Sequence, residues 1–113
     1  MRREVRLKKD QDFAKVYRSG KSTGNKYLVL YYLLKDSGGP TQVGFSISKK
    51  VGKAVVRNRL KRRLREIISS LHINIKDGYM LVFVVRQGTD RLEYKRLKEL
   101  TSDLLKKGAI IEG

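Results

Sequence analysis

No cysteine occurs anywhere in the sequence, which excludes disulfides and cysteine-based zinc sites and with them a zinc-finger reading of its basic charge. His72 is the only histidine, so no histidine cluster can form. Proline appears once, at Pro40, inside the turn-like stretch KDSGGP. Acidic residues are scarce: 11 Asp and Glu stand against 27 Lys and Arg, a formal net charge of +16. Between Ser37 and Arg65 there is no acid at all. The longest apolar run, Tyr27 to Leu34, is far short of the roughly 20 residues a bilayer-spanning helix needs. The N-terminal stretch MRREVRLKKDQDF has no apolar region after its basic residues, unlike a secretory signal. These absences lead to the expectation of a cytoplasmic protein without a membrane partner.

The chain of 113 residues is expected to form a single domain, 1–113, since 40% of it is apolar and it is too short for two good cores. Neither an internal repeat nor a low-complexity segment is evident. A helix is predicted from Asp10, as its cap, to about Arg18, with Phe13, Val16 and Tyr17 on one side. Residues 27–35 read as a strand, with Tyr27, Val29 and Tyr31 sharing a face. Residues 41–48 alternate, Val43, Phe45 and Ile47 opposite Gly44, Ser46 and Ser48. Residues 79–85, YMLVFVV, read as a central strand. A last helix is predicted over about 92–107, with Leu97, Leu100, Leu104 and Leu105 inward and a loose capping box at Asp90 and Glu93. The order is that of an α+β fold, and the passage from strand 41–48 to strand 79–85 could be a βαβ crossover.

The segment KAVVRNRLKRRLR, 53–65, carries seven cations in thirteen residues: Lys53, Arg57, Arg59, Lys61, Arg62, Arg63 and Arg65. On a helix, Val56, Leu60, Leu64, Ile67, Ile68 and Leu71 form one apolar stripe. Asn58, Arg62 and Arg65 fall opposite, Arg59 and Lys61 beside them, and Arg57 and Arg63 at the margins. A merely solvated face would interleave acids at helical spacing. A membrane-surface helix would need an exposed apolar face beyond what the core uses. Arginine outnumbers lysine five to one between Arg57 and Arg65, and its planar fork suits phosphates and bases. A nucleic acid is the expected partner.

DNA would need a recognition helix, and no helix lies close before this one to make a helix-turn-helix. Aromatics beside cations favour single-stranded RNA: Phe13 and Tyr17 are one helical turn apart, Tyr31 lies on a strand, and Ser46 and Ser48 leave uncrowded sheet surface. Each aromatic could equally be core, and Tyr32 and Phe83 are expected there. Metal-dependent cleavage by the protein itself would need converging carboxylates, but the acids are scattered, with Asp10 and Asp12 the only close pair. The residues therefore point to an RNA-binding protein rather than a nuclease in its own right, and by composition alone a generic basic RNA binder, ribosomal or chaperone-like, is enough.

The stretch VGKAVVRNRLKRRLR, 51–65, resembles the signature of the bacterial ribonuclease P protein component, whose hallmark is the Arg-Asn-Arg triplet, here Arg57, Asn58 and Arg59. RLKKDQDFAKVYRSGK at 6–21 resembles the family's N-terminal helix, and the YLVLYYL strand, VGFSISKKVGKA and the final strand and helix follow in the family's order. The resemblance implies a subunit of a tRNA 5′-maturation endoribonuclease whose catalyst is an RNA using Mg²⁺, with no catalytic residue on the protein. It implies two partners, the catalytic RNA and the 5′ leader of precursor tRNA. The first would dock on Lys49, Lys50, Lys53, Arg57, Asn58, Arg59, Lys61, Arg62 and Arg65. The second would lie in a cleft lined by Phe13, Tyr17 and Tyr31 with Lys9 nearby, Ser46 and Ser48 adding open sheet surface. The implied fold is a two-layer α/β sandwich like the second domain of ribosomal protein S5, with about four strands, three helices and a left-handed βαβ crossover where strand twist alone favours a right-handed one.

Overall fold

A computed structural model describes residues 5–111 of the chain. In chain order its elements are β1 (Val5–Arg6), α1 (Asp10–Ser19), β2 (Lys21–Gly24), β3 (Leu28–Leu34), β4 (Gln42–Ile47), α2 (Ala54–Leu71), β5 (Tyr79–Val85) and α3 (Tyr94–Lys107). The five strands form one mixed sheet in the order β1-β4-β5-β3-β2. β4 and β5 are adjacent and parallel and are joined through α2, the expected βαβ unit. β3 pairs antiparallel with both β5 and β2.

Strand alternation divides the side chains of this sheet between two cores. Leu28 and Leu30 of β3, Val43 and Phe45 of β4, and Leu81, Phe83 and Val85 of β5 face the apolar stripes of α2 and α3. Phe45 and Phe83 stack at the centre, ring centroids 5.8 Å apart. Met80 and Val82 turn to the opposite face, where they meet Leu7 and Val16 with Phe13 and Tyr31 beside them. α1 therefore covers the face that α2 and α3 leave, and helices lie on both sides of the sheet rather than in one second layer.

Several local readings change in the structure. There are five strands, not about four: β1 has two residues, and β2 is the polar sequence KSTG. Lys9, not Asp10, is the N-cap of α1, and it makes no side-chain cap bond; the Lys9 carbonyl accepts from Asp12 and Phe13. Glu93 is the N-cap of α3 without a capping box, and Asp90 sits in a separate 3-10 turn, Thr89–Arg91. Tyr27 precedes β3 and packs on the α2–α3 core, away from the face of Val29 and Tyr31. The tail, to which the sequence assigned nothing, contributes Ile110 and Ile111 to that core, and Ile111 bridges to Ile75.

Candidate RNA interface

The sheet register defines a cleft. Residues in line across neighbouring strands form rows, and α1 lies over the row Ser22–Tyr31–Val82–Gly44. Phe13 rests directly on the backbone of β4: a methyl group at Gly44 would come within 2.5 Å of the Phe13 ring. The next turn sets Tyr17 edge-on to Tyr31, with ring centroids 4.9 Å apart and planes at 86°. The following row, Gly24–Val29–Val84–Ser46, extends beyond α1 as a floor that is exposed or half-buried. It is apolar in the middle, carries small residues at both ends, and has aromatic rings on its α1 side.

At the same end of the sheet, Lys26 and Arg86 are exposed, and the Arg86 N–H donates to the Tyr27 carbonyl at 2.8 Å. Tyr17 is 39% exposed, enough to offer a ring face or its hydroxyl to a ligand. The structure thus brings Phe13, Tyr17, Tyr31 and Ser46 together. Lys9 is the N-cap of α1, one turn before Phe13, whose N–H donates to its carbonyl. Ser48 lies just past β4, where its carbonyl accepts the Val51 N–H. Sequence reading missed Val84, which only the pairing of β3 with β5 puts opposite Val29, and Lys26 and Arg86, which lie beyond that row at the same end of β3 and β5.

On the other face, α2 presents the cationic surface. Asn58, Arg59, Lys61 and Arg62 are exposed, as are Lys49, Lys50 and Lys53 before the helix. The first turn of α2 contains no acid, and its N-cap Lys53 makes no side-chain cap bond. Positive helix dipole and positive side chains therefore point the same way. Arg57 and Arg63 are half-buried at the margins of the stripe, as helical spacing requires. Arg65 departs from expectation. It is half-buried, with its guanidinium 5.1 Å from the centre of the Phe45 ring, so part of its surface is committed to the protein.

An open groove of about 810 Å³ runs along α2 between Arg6 and the residues Asn58, Lys61, Arg62 and Arg65, with Glu66 its one acid. Arg6 enters because it stands opposite Val43, on the α2 side of the sheet; nothing in its sequence context signals this. At the end of the helix the Nδ1 of His72 lies 2.5 Å from the Ser69 carbonyl, so the ring closes the last turn. Among the described residues no three His, Asp or Glu side chains come together as a metal site, and no helix is long and apolar enough to cross a membrane. Glu4 and Glu112 lie outside the described residues.

The family model described as Ribonuclease P matches residues 1–109. The chain belongs to the ribonuclease P protein family. The ribonuclease P protein component of Caldanaerobacter subterraneus subsp. tengcongensis is 42% identical over 108 residues, covering 96% of this chain and 92% of that one. The Staphylococcus aureus ribonuclease P protein superimposes with a TM-score of 0.88 at 28% identity, over 96% of this chain and 98% of the other. The Thermotoga maritima protein gives 0.83 at 31% identity, over the same shares. The expected α+β fold is thus the family's own. As a member, the chain is a protein component of a ribonucleoprotein that processes tRNA.

Proposed function

We propose that the two surfaces divide the work of ribonuclease P's protein subunit. The α2 face and the Lys49–Lys53 loop dock on the catalytic RNA, and the cleft beside α1 holds the single-stranded 5′ leader of precursor tRNA. The observation that carries this reading is the uncovered row Gly24–Val29–Val84–Ser46 beside Phe13, Tyr17 and Tyr31. Its apolar centre and aromatic edge suit unpaired bases, and the cations at its end suit their phosphates.

The described residues do not fit a resident metal centre, so no protein side chain is assigned a metal or a proton transfer. Mg²⁺ is placed with the catalytic RNA, where it supports hydrolysis of the leader phosphodiester. The protein's part is to bind and orient. By fixing the leader on a rigid sheet, it turns some of the leader's binding energy into placement of the scissile bond. Neutralised phosphates along α2 release counterions, so assembly weakens by roughly 10³ between about 50 and 200 mM salt if about six contacts form. The assignment places the protein in the cytoplasm, with neither DNA nor membrane as partner.

The test is cleavage of a precursor tRNA at low Mg²⁺ by protein alone, catalytic RNA alone and both together. Activity at low Mg²⁺ only in the mixture is expected. Cleavage by protein alone would overturn the division of labour, and no stimulation would leave a generic RNA binder.

A further inference from the structure

The segment Ser48–Lys53 leaves the end of β4, two residues past the cleft floor at Ser46, and enters α2. It is the covalent bridge between the two surfaces, and it carries Lys49, Lys50 and Lys53, all exposed. Three cations on a short loop repel one another, so something must hold the loop in one shape. Two contacts are backbone or core: Val51 is buried at 6% exposure, and its N–H donates to the Ser48 carbonyl at 3.1 Å. A third comes from a side chain. Nε of Arg57 donates to the Gly52 carbonyl at 3.2 Å, across the first turn of the helix.

Arg57 is half-buried, whereas its triplet partners Asn58 and Arg59 are exposed. The approach of loop to helix is close at this point. A methyl at Gly52 would meet Val56 Cγ1 at 2.8 Å and Cβ at 2.9 Å, so only glycine lets the loop backbone lie this near. Val56 in turn packs against the core that contains Val51. Glycine at 52 and arginine at 57 therefore act as one latch.

We propose that Arg57 is a positioning residue, one that latches the lysine loop onto α2 and so fixes the offset between the cleft and the docking face. In this reading the triplet is split: Asn58 and Arg59 face the RNA, and Arg57 faces the protein. The part of the proposal that concerns assembly rests on α2 being the docking face; the latch itself does not.

The experiment compares Arg57→Ala, Gly52→Ala and Arg59→Ala. In the free protein, hydrogen exchange of the Val51 amide is followed with the β5 amides as an internal reference. Loss of a charge-assisted bond that holds the loop should speed Val51 exchange by about tenfold or more in both Arg57→Ala and Gly52→Ala. Arg59→Ala should leave it unchanged, and β5 should keep its wild-type rates. Gly52→Ala retains every charge and disturbs the acceptor side, so it decides the matter if Arg57→Ala loosens the whole sheet. Unchanged Val51 exchange in Gly52→Ala, or in an otherwise intact Arg57→Ala, overturns the latch.

The second readout is assembly with the catalytic RNA. Adding Lys50→Ala to Arg57→Ala should cost less than the product of the two single losses, because the loop is already displaced. Adding it to Arg59→Ala should multiply. Multiplicative losses in both pairs would overturn the positioning role. If neither Arg59→Ala nor Lys50→Ala weakened assembly, the docking reading would fail while the exchange result still judged the latch.

Discussion

Replacing Gly44 by alanine tests the cleft through its most crowded point. The added methyl would lie 2.5 Å from Phe13 Cζ, 2.9 Å from Cε1 and 3.1 Å from Leu7 Cβ. Ordinary carbon contacts are about 3.5–4.0 Å, so the ring must retreat by about 1 Å. Leu7 is buried under α1 and cannot yield freely, which leaves Phe13, half-exposed at the cleft, as the group that moves. Overpacking of this kind costs about 1–3 kcal/mol in stability. A ring displaced from its stacking position should cost a similar amount, about 1–3 kcal/mol, in leader binding. That corresponds to a loss of roughly 5- to 150-fold in the affinity of the reconstituted enzyme for precursor tRNA. Mature tRNA, which lacks the leader, should bind as before. Equilibrium binding of both ligands, beside thermal unfolding of the free variant, separates the effects. A variant that is destabilised but discriminates between the two tRNAs like the wild type would refute the placement of the leader beside Phe13.

Arg59→Ala and Arg62→Ala should each weaken assembly with the catalytic RNA and make its dependence on salt shallower by about one counterion. A titration series across salt concentrations checks this, and unchanged slopes in both would remove α2 as the docking face. Phe83 is fully buried and stacked on Phe45, so Phe83→Ala should lower unfolding free energy by about 3–5 kcal/mol, measured by urea titration. A cost below about 1 kcal/mol would mean that the centre of the sheet is not packed as described.

Much of the scaffold was legible in the sequence because its periodicities are strong. Residues 79–85 were read as a strand and form β5, and the stripe Leu60, Leu64, Ile67 and Ile68 is the buried face of α2. What escaped was set by partners. KSTG has weak strand propensity and becomes β2 only through four pairs with β3, from Lys21↔Tyr32 to Gly24↔Val29. β1 is two residues long, and no periodicity can announce it. Asp10 and Asp90 are good capping residues, yet the N-caps stand one residue before the first, at Lys9, and three after the second, at Glu93. For the site, the aromatic pair and the cationic helix were visible as local patterns. The floor was not, since Val29, Val84 and Ser46 are neighbours only across strands. Helical spacing alone also could not show that Arg65 would lie over Phe45.

The attachment of α1 has a consequence for the energetics of the proposed leader binding. The helix is fastened at both ends to opposite margins of the sheet. On one side Leu7 donates to the Val43 carbonyl after β1 pairs with β4; on the other the chain passes directly into β2, paired with β3. Ten helical residues span about 15 Å, close to the roughly 19 Å across four strand intervals. The helix thus braces the two margins, joined to β1 through residues 7–9 and to β2 through Gly20 alone. A ligand entering beside it meets a slot whose helix and floor are tied into the same sheet, so a preformed width is the expected case. Leader affinity should therefore carry little penalty for ordering the protein, and the on-rate should be governed by diffusion and charge instead of by a conformational step.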